Sequence, residues 1–241
     1  MLEKTKGIVL HSLKYSENSI IVKIYTESFG LVSYIVRSVR SKKSSMKAGI
    51  FQPLTILEMV AYHKKKPVLQ TLKEITHVHQ FTGIPYDIKK SSVAIFIAEV
   101  LNKTIREEEQ NAELFDFICR SVELLDATQG RISEFHLYFL IELSKFLGFY
   151  PHNNFDNDKV YFNLYDGHFQ EFLPEHPYYI QEELSSHFSK LLNSSYDASG
   201  IEGITASIRK ELMNKILDYY RIHLNGFNTL RSLNVLEEVF I

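Results

Sequence analysis

Arg37, Arg40, Lys42, Lys43 and Lys47 fall within eleven residues, interleaved with Ser38, Ser41, Ser44 and Ser45. Lys64, Lys65 and Lys66 follow as a triplet, and Lys14 and Lys23 precede. Between residues 28 and 73 the only acidic side chain is Glu58. Cations at this density neutralise phosphates, and the counterions they release drive binding. Tyr15, Tyr25, Tyr34 and Tyr62 lie among them and are candidate surfaces for base stacking. Cationic groups for phosphates and aromatic rings for bases are what sequence-tolerant binding of a single strand requires. A plainer alternative stays open for each tyrosine, namely a place in a barrel core.

Other chemistry finds less support. A nucleophile needs a neighbouring base and an exposing turn. The chain has no G-x-S-x-G elbow, and its one cysteine, Cys119, stands between apolar Ile118 and Val122 like a small buried hydrophobe. There is no Walker loop and no G-x-G-x-x-G. One cysteine excludes a disulfide scaffold and the Cys₄ and Cys₂His₂ zinc sites. His77 and His79 share a strand face without a third ligand. His152, His168 and His176 stand near Asp156, Asp158 and Asp166, a mixed set that could take a metal but has no diagnostic spacing. Glu107, Glu108 and Glu109 read as a solvated helix start. The expectation is no catalytic residue, no metal and no cofactor.

The elements that position these residues fall into two halves. Five runs rich in Val, Ile, Thr and Tyr span 5–14, 19–26, 31–39, 54–63 and 68–79. Glu27-Ser28-Phe29-Gly30 is a turn between the second and third, and Lys64-Lys65-Lys66-Pro67 closes a hairpin between the last two. Five short strands in some 80 residues predict a closed barrel of the OB kind, with an SH3-like barrel as competitor. In an OB barrel strands two and three and the loops after strands one and four frame the ligand face. Lys14 and Tyr15 then fall in the first loop, the lysine triplet in the fourth, and Lys23 and Tyr25 on one face of strand two.

After Thr82-Gly83-Ile84-Pro85 the period becomes helical. Helices are predicted around 93–105, 114–125, 132–149, 182–192 and 205–224. Ser133 is a candidate cap for the third, Gly148 lies near its end, and Gly226 stops the last. Between them Val160, Phe162 and Leu164 alternate before Asp166-Gly167, a hairpin signal that fits a type I′ turn. The fold class is therefore α+β. A barrel domain spans 1–80 and a helical domain 81–241, with an inserted hairpin module at 151–179.

Charge divides along the same line. The net charge is −2, yet residues 1–80 carry +8 and residues 81–241 carry −10. Two domains with different partners are expected. No run approaches eighteen apolar residues, and residues 1–6 lack a signal-peptide core. The expected location is the cytoplasm.

The sequence resembles the RecO family of bacterial recombinational DNA-repair mediators. Gly7-Ile8-Val9-Leu10-His11-Ser12 and Tyr15-Ser16-Glu17-Asn18-Ser19-Ile20-Ile21-Val22 resemble the family opening. Tyr25-Thr26-Glu27-Ser28-Phe29-Gly30-Leu31 resembles its strand-turn-strand signature. The basic stretch leading to Phe51-Gln52-Pro53-Leu54 is similar in kind and position, and Leu69 to Glu74 is similar to the barrel end. So are Tyr219 to Leu224 and Leu230 to Leu233 near the C-terminus. The likeness runs from residue 3 to about 236.

This resemblance implies an OB domain, a helical domain and a small inserted module. It implies binding of single- and double-stranded DNA, strand annealing, and help in placing RecA on DNA coated with single-strand-binding protein. The implied partners are RecR and the acidic tail of single-strand-binding protein, with no membrane, in a bacterial cytoplasm near the nucleoid. The candidate DNA-binding residues are the cations already singled out: Lys14, Lys23, Arg37, Arg40, Lys42, Lys43, Lys47, Lys64, Lys65 and Lys66. An acidic tail ending in Phe needs an apolar pocket and a cation, for which Arg120 and Arg131 are candidates. Many family members carry a four-cysteine zinc module where residues 151–179 have none, so this chain is expected to be a zinc-free variant held by Val160, Phe162, Leu164 and Phe169. Two rival functions stay open: an OB-fold RNA-binding protein in translation or RNA turnover, and a metal-dependent nuclease using the histidine and aspartate cluster.

Overall fold

The computed structural model describes residues 2–37, 48–63, 69–78, 80–106, 109–196 and 200–240. They form two compact units, 1–127 and 128–241. In the first unit β1 (Leu2–Ser16), β2 (Ser19–Thr26), β3 (Gly30–Arg37), β4 (Ile56–Tyr62) and β5 (Gln70–Val78) close a barrel in the order β1-β2-β3-β5-β4. β1 pairs antiparallel with both β2 and β4, and β3 closes on β5 in parallel. This is the OB barrel, and the SH3-like alternative falls.

Alternation along each strand builds the core. Val22 and Ile24 of β2, Tyr34 and Val36 of β3, and Leu57 and Met59 of β4 all point inward, each completely buried. Phe51 plugs the interior from the loop before β4. Gly7 stands where β1 crosses this interior, and a Cβ there would collide with the Ile24 side chain. Gly30 ends the β2–β3 turn at φ +62°. Thr26 Oγ1 donates to its carbonyl at 2.9 Å and accepts from Phe29 N at 3.0 Å.

The first unit continues past the barrel into two helices. α1 (Ile88–Thr104) packs on β1, and α2 (Ala112–Ala127) lays Phe115 against Tyr25. The reason lies in the strands: Ile8 and Tyr25 are opposite partners on the outer side of β1 and β2, and an apolar outer patch needs cover. Asp126, at the end of α2, ties down the segment entering α1. Its carboxylate accepts from the N–H groups of Thr82, Gly83 and Ile84 at 2.9, 2.8 and 2.6 Å. Lys90 Nζ donates to its carbonyl at 2.6 Å. A side chain on Gly83 would run into that same carbonyl. Burial works to raise the Asp126 pKa, but the three N–H donors and Lys90 outweigh it and hold the carboxyl below its usual range.

The second unit contains α3 (Phe135–Phe146), β6 (Tyr161–Asn163), β7 (His168–Gln170), β8 (Tyr179–Ile180), α4 (Glu182–Asn193), α5 (Ala206–His223) and α6 (Ser232–Phe240). The predicted third helix begins later than expected. Ser133 does not cap it, because its hydroxyl donates to Glu134 Oε1 and accepts from Arg131. Thr205 does cap α5, accepting from Ile208 N at 3.3 Å.

The inserted module is a three-stranded sheet in the order β7-β6-β8. Its turn is not type I′. Asn163 pairs with His168, so four residues form the loop, and only Gly167 takes positive φ, at +68°. Asn163 Oδ1 accepts from the N–H groups of Tyr165 and Asp166, which holds Asp166 out of the left-handed conformation a type I′ turn demands. Phe162, Leu164 and Phe169 are buried as expected, Val160 only partly. α4 adds Phe188, with its ring 4.8 Å from Phe162. Asn154 bonds both the N–H and the carbonyl of Phe169, at 2.8 and 2.9 Å.

Candidate nucleic-acid interface

The register of β1, β2 and β3 decides which side chains share a surface. His11 opposes Lys23 and Leu13 opposes Ile21. Across the next ladder Ser19 opposes Arg37, Ile21 opposes Ile35 and Lys23 opposes Ser33. Opposite residues project to the same side. Lys23, Arg37, Ile21, Ile35, Leu13, Ser33 and His11 therefore make one outward face. That face carries two cations, an apolar centre and, among the described residues, no carboxylate. Lys23 and Arg37 form no ion pair among the described residues. A phosphate chain could track the cations while the apolar centre meets the flat faces of bases.

Lys14 opposes Ile20, whose side is that of core residue Val22. It thus projects from the other side of the β1–β2 ribbon from Lys23, and the two cations do not line one groove wall. Tyr15 is the extra residue in a register shift next to Lys14 and is 61% exposed. Tyr62 is also exposed, on the outer side of β4 opposite Leu2. These two tyrosines keep a free ring.

Tyr25 and Tyr34 do not, which corrects their role as stacking surfaces. Tyr25 is 1% exposed under α2, its hydroxyl donating to Asn111 O at 3.4 Å. Tyr34 lies wholly inside the barrel, its hydroxyl 2.8 Å from His63 Nε2, and burial raises its pKa. His63 in turn stacks on Phe29 with ring centroids 3.8 Å apart. Alternation alone would have placed Tyr34 with Val36 on the core side. The cover over Tyr25 comes from α2, which no local pattern announces. Arg40, Lys42, Lys43, Lys47, Lys64, Lys65 and Lys66 lie outside the described residues.

Of the two helical cations, Arg120 is exposed on α2. Arg131, with a side chain 42% exposed, is engaged within its own unit. It donates to Glu134 Oε1 at 2.7 Å and to the Ile204 carbonyl at 3.2 Å. Glu134 is 2% exposed and also takes Arg209 Nη1 at 3.0 Å. A buried carboxylate needs partners, and these two guanidiniums serve it.

Neither the nucleophile nor the metal alternative gains geometry. Cys119 is half-buried, and burial first, then Glu123 and Asp116, pushes its thiol up to about 12. Among the described residues no three His, Cys, Asp or Glu side chains converge as a metal site. Asp156 closes its own turn on the N–H groups of Asp158 and Lys159, and His176 lies edge-on to Tyr165.

The barrel, with its outward face on β1, β2 and β3, defines an OB-fold protein that carries a helical body. Comparison with known proteins narrows this. The family model described as recombination protein O N terminal matches residues 1–81, and recombination protein O C terminal matches 85–233. The "DNA repair protein RecO" of Bacteroides fragilis is 40% identical over the full length of both chains. Its namesake from Flavobacterium psychrophilum is 40% identical over 98% of each, and that of Azobacteroides pseudotrichonymphae 35% over all of each. The chain belongs to the RecO family.

Proposed function

We propose that this protein is a non-enzymatic DNA-repair mediator that binds DNA, anneals complementary strands, and helps RecA onto single strands coated with single-strand-binding protein. The observation that carries this is the carboxylate-free face on which Lys23 and Arg37 flank Leu13, Ile21 and Ile35. Family membership supplies the repair context. Neutralised phosphates no longer repel, so two strands can pair on or beside such a face. Among the described residues no helix is long and apolar enough to cross a membrane. The reading places the protein in the cytoplasm with the nucleoid. Its partners are single- and double-stranded DNA, RecR and the acidic tail of single-strand-binding protein.

Annealing of complementary strands coated with single-strand-binding protein tests this, with and without that protein's acidic tail. Acceleration that weakens when the tail is removed supports both the DNA role and the partner. No acceleration over the uncatalysed rate refutes the mediator. Replacing Lys64, Lys65 and Lys66 by Ala should flatten the log-affinity versus log-salt slope by roughly 0.7 for each phosphate that a single strand no longer has neutralised. An unchanged slope removes the triplet from the interface.

A further inference from the structure

Between residues 160 and 189 the chain has no Lys or Arg and five carboxylates, Asp166, Glu171, Glu175, Glu182 and Glu183. This reverses the barrel stretch 28–73, where cations gather and only Glu58 interrupts. Three rings meet in this acidic setting. Tyr165 lies in the loop between β6 and β7, and His176 and Tyr178 lie in the segment before β8. Tyr165 meets His176 with ring centroids 4.7 Å apart at 90°, and meets Tyr178 at 5.4 Å and 71°. Tyr165 is 49% exposed, Tyr178 41%, and His176 is half-buried.

Backbone hydrogen bonds hold the trio in place. Tyr165 N donates to Asn163 Oδ1 at 2.9 Å, Leu164 N to the Tyr178 carbonyl at 3.0 Å, and Tyr178 N to His176 Nδ1 at 3.2 Å. Rings fixed in this way are preorganised for a ligand. Two other tyrosines of the same unit already carry a cation. Lys145 Nζ lies 4.6 Å from the Tyr150 centroid, and Lys215 Nζ 5.8 Å from that of Tyr179. Among the described residues no cation sits over Tyr165 or Tyr178. Asp166 and Glu175, next to the trio in the chain, form no ion pair there, and Asp166 takes only the neutral amide of Asn163 at 2.7 Å.

We propose that Tyr165, His176 and Tyr178 form a docking surface for an arginine side chain carried by a basic segment of a protein partner. A guanidinium is flat and weakly hydrated, so it stacks on a tyrosine face while its N–H groups reach a carboxylate. Asp166 and Glu175 supply that carboxylate, and charge complementarity selects the occupant. The same carboxylates repel a phosphate backbone and an anionic lipid surface, although the rings alone would suit bases. They also oppose one another if two copies of the trio meet face to face. The barrel then offers cations to phosphates, while the module offers carboxylates and rings to a cationic protein segment.

Anisotropy on the full-length chain tests this with short fluorescein-labelled peptides of Gly and Ser that carry either Arg or Lys at the same positions. The Arg peptide should bind about fourfold more tightly than the Lys peptide at equal salt. Tyr165→Leu with Tyr178→Leu should remove that difference, and Tyr165→Phe with Tyr178→Phe should keep it. Tyr165→Leu alone, in an exposed loop, should reduce it by about half. Glu175→Gln should weaken both peptides alike, by about twofold. Equal binding of the two peptides, or a preference that survives loss of both tyrosine rings, overturns the proposal. So does a loss of oligothymidylate binding in the Leu pair, which would make the trio a nucleic-acid surface. A dimer in sedimentation that the Leu pair dissolves would make a second copy the occupant and overturns it too. Annealing of bare strands should be unchanged in the Leu pair, so this surface and the mediator reading fail separately.

Discussion

The barrel face and the helical unit use cations in opposite ways. On the barrel Lys23 and Arg37 stand among Ile21, Ile35 and Ser33 with no carboxylate on their face. In the helical unit Arg131 and Arg209 converge on one buried carboxylate, Glu134. Both sets are ordinary Lys and Arg residues in the sequence. The difference is whether a carboxylate is buried within reach. A buried charge claims its partners, because leaving it unpaired is far more unfavourable than anything those cations could recover at the surface. Net charge by segment therefore describes a region, while availability is a property of each cation.

That contrast can be broken first at Glu134. Glu134→Ala leaves two guanidiniums without their carboxylate and should destabilise the chain by about 3–5 kcal/mol in urea unfolding. A loss under about 1 kcal/mol would mean that the pair behaves as a surface ion pair after all. The first unit offers a parallel test in Asp126, which serves three N–H donors. Asp126→Ala should lower stability by roughly 2–3 kcal/mol, with the loss at the entry to α1 visible in hydrogen exchange. Its carboxyl pKa is held below the ordinary value, so its contribution is complete at neutral pH and disappears as pH falls through the depressed pKa. Full stability retained well below the normal carboxylate range would contradict the hydrogen-bond geometry.

His136 sharpens the comparison from the other side. Burial, then Arg209, lowers its pKa to about 3. Its neutral form is the folded form, so stability is complete above the unfolded histidine value near 6.5. It should decline as pH falls from there toward about 3, by up to about 1.4 kcal/mol per pH unit. His136→Gln should flatten that part of the pH–stability curve, and an unchanged curve would show that another group titrates. The smallest effect on stability belongs to the barrel face. Lys23→Ala with Arg37→Ala should change folding by no more than about 0.5 kcal/mol. The same pair should reduce the salt slope of single-strand binding by about 1.4. A stability loss without a slope change would make these residues structural and remove the contrast. Finally, a chelator should leave the melting temperature of the module untouched, and stoichiometric zinc in purified protein would overturn its account.

Much of this architecture is legible in the sequence. The five strands follow from β-branched runs and turn residues, since alternation and turn chemistry are local. The helices follow from apolar period, though α3 begins at Phe135 because Arg131, Ser133 and Glu134 are engaged with one another. The four-residue loop before β7 has one local signal, Asn163, whose side chain competes for the turn N–H groups. Arg209 carries no local sign of its role, because the carboxylate it serves, Glu134, lies 75 residues earlier.

By itself the sequence determined the barrel, the helical body, the charge split and the resemblance to the RecO family. These depend on residue type at short spacing, which sets backbone preference and burial. Tertiary structure decided which cations and rings face outward. It covered Tyr25 with α2, enclosed Tyr34, turned Lys14 away from Lys23, and engaged Arg131 and Arg209 on Glu134. Strand register and packing between distant elements fix those outcomes, and neither is encoded at any single position.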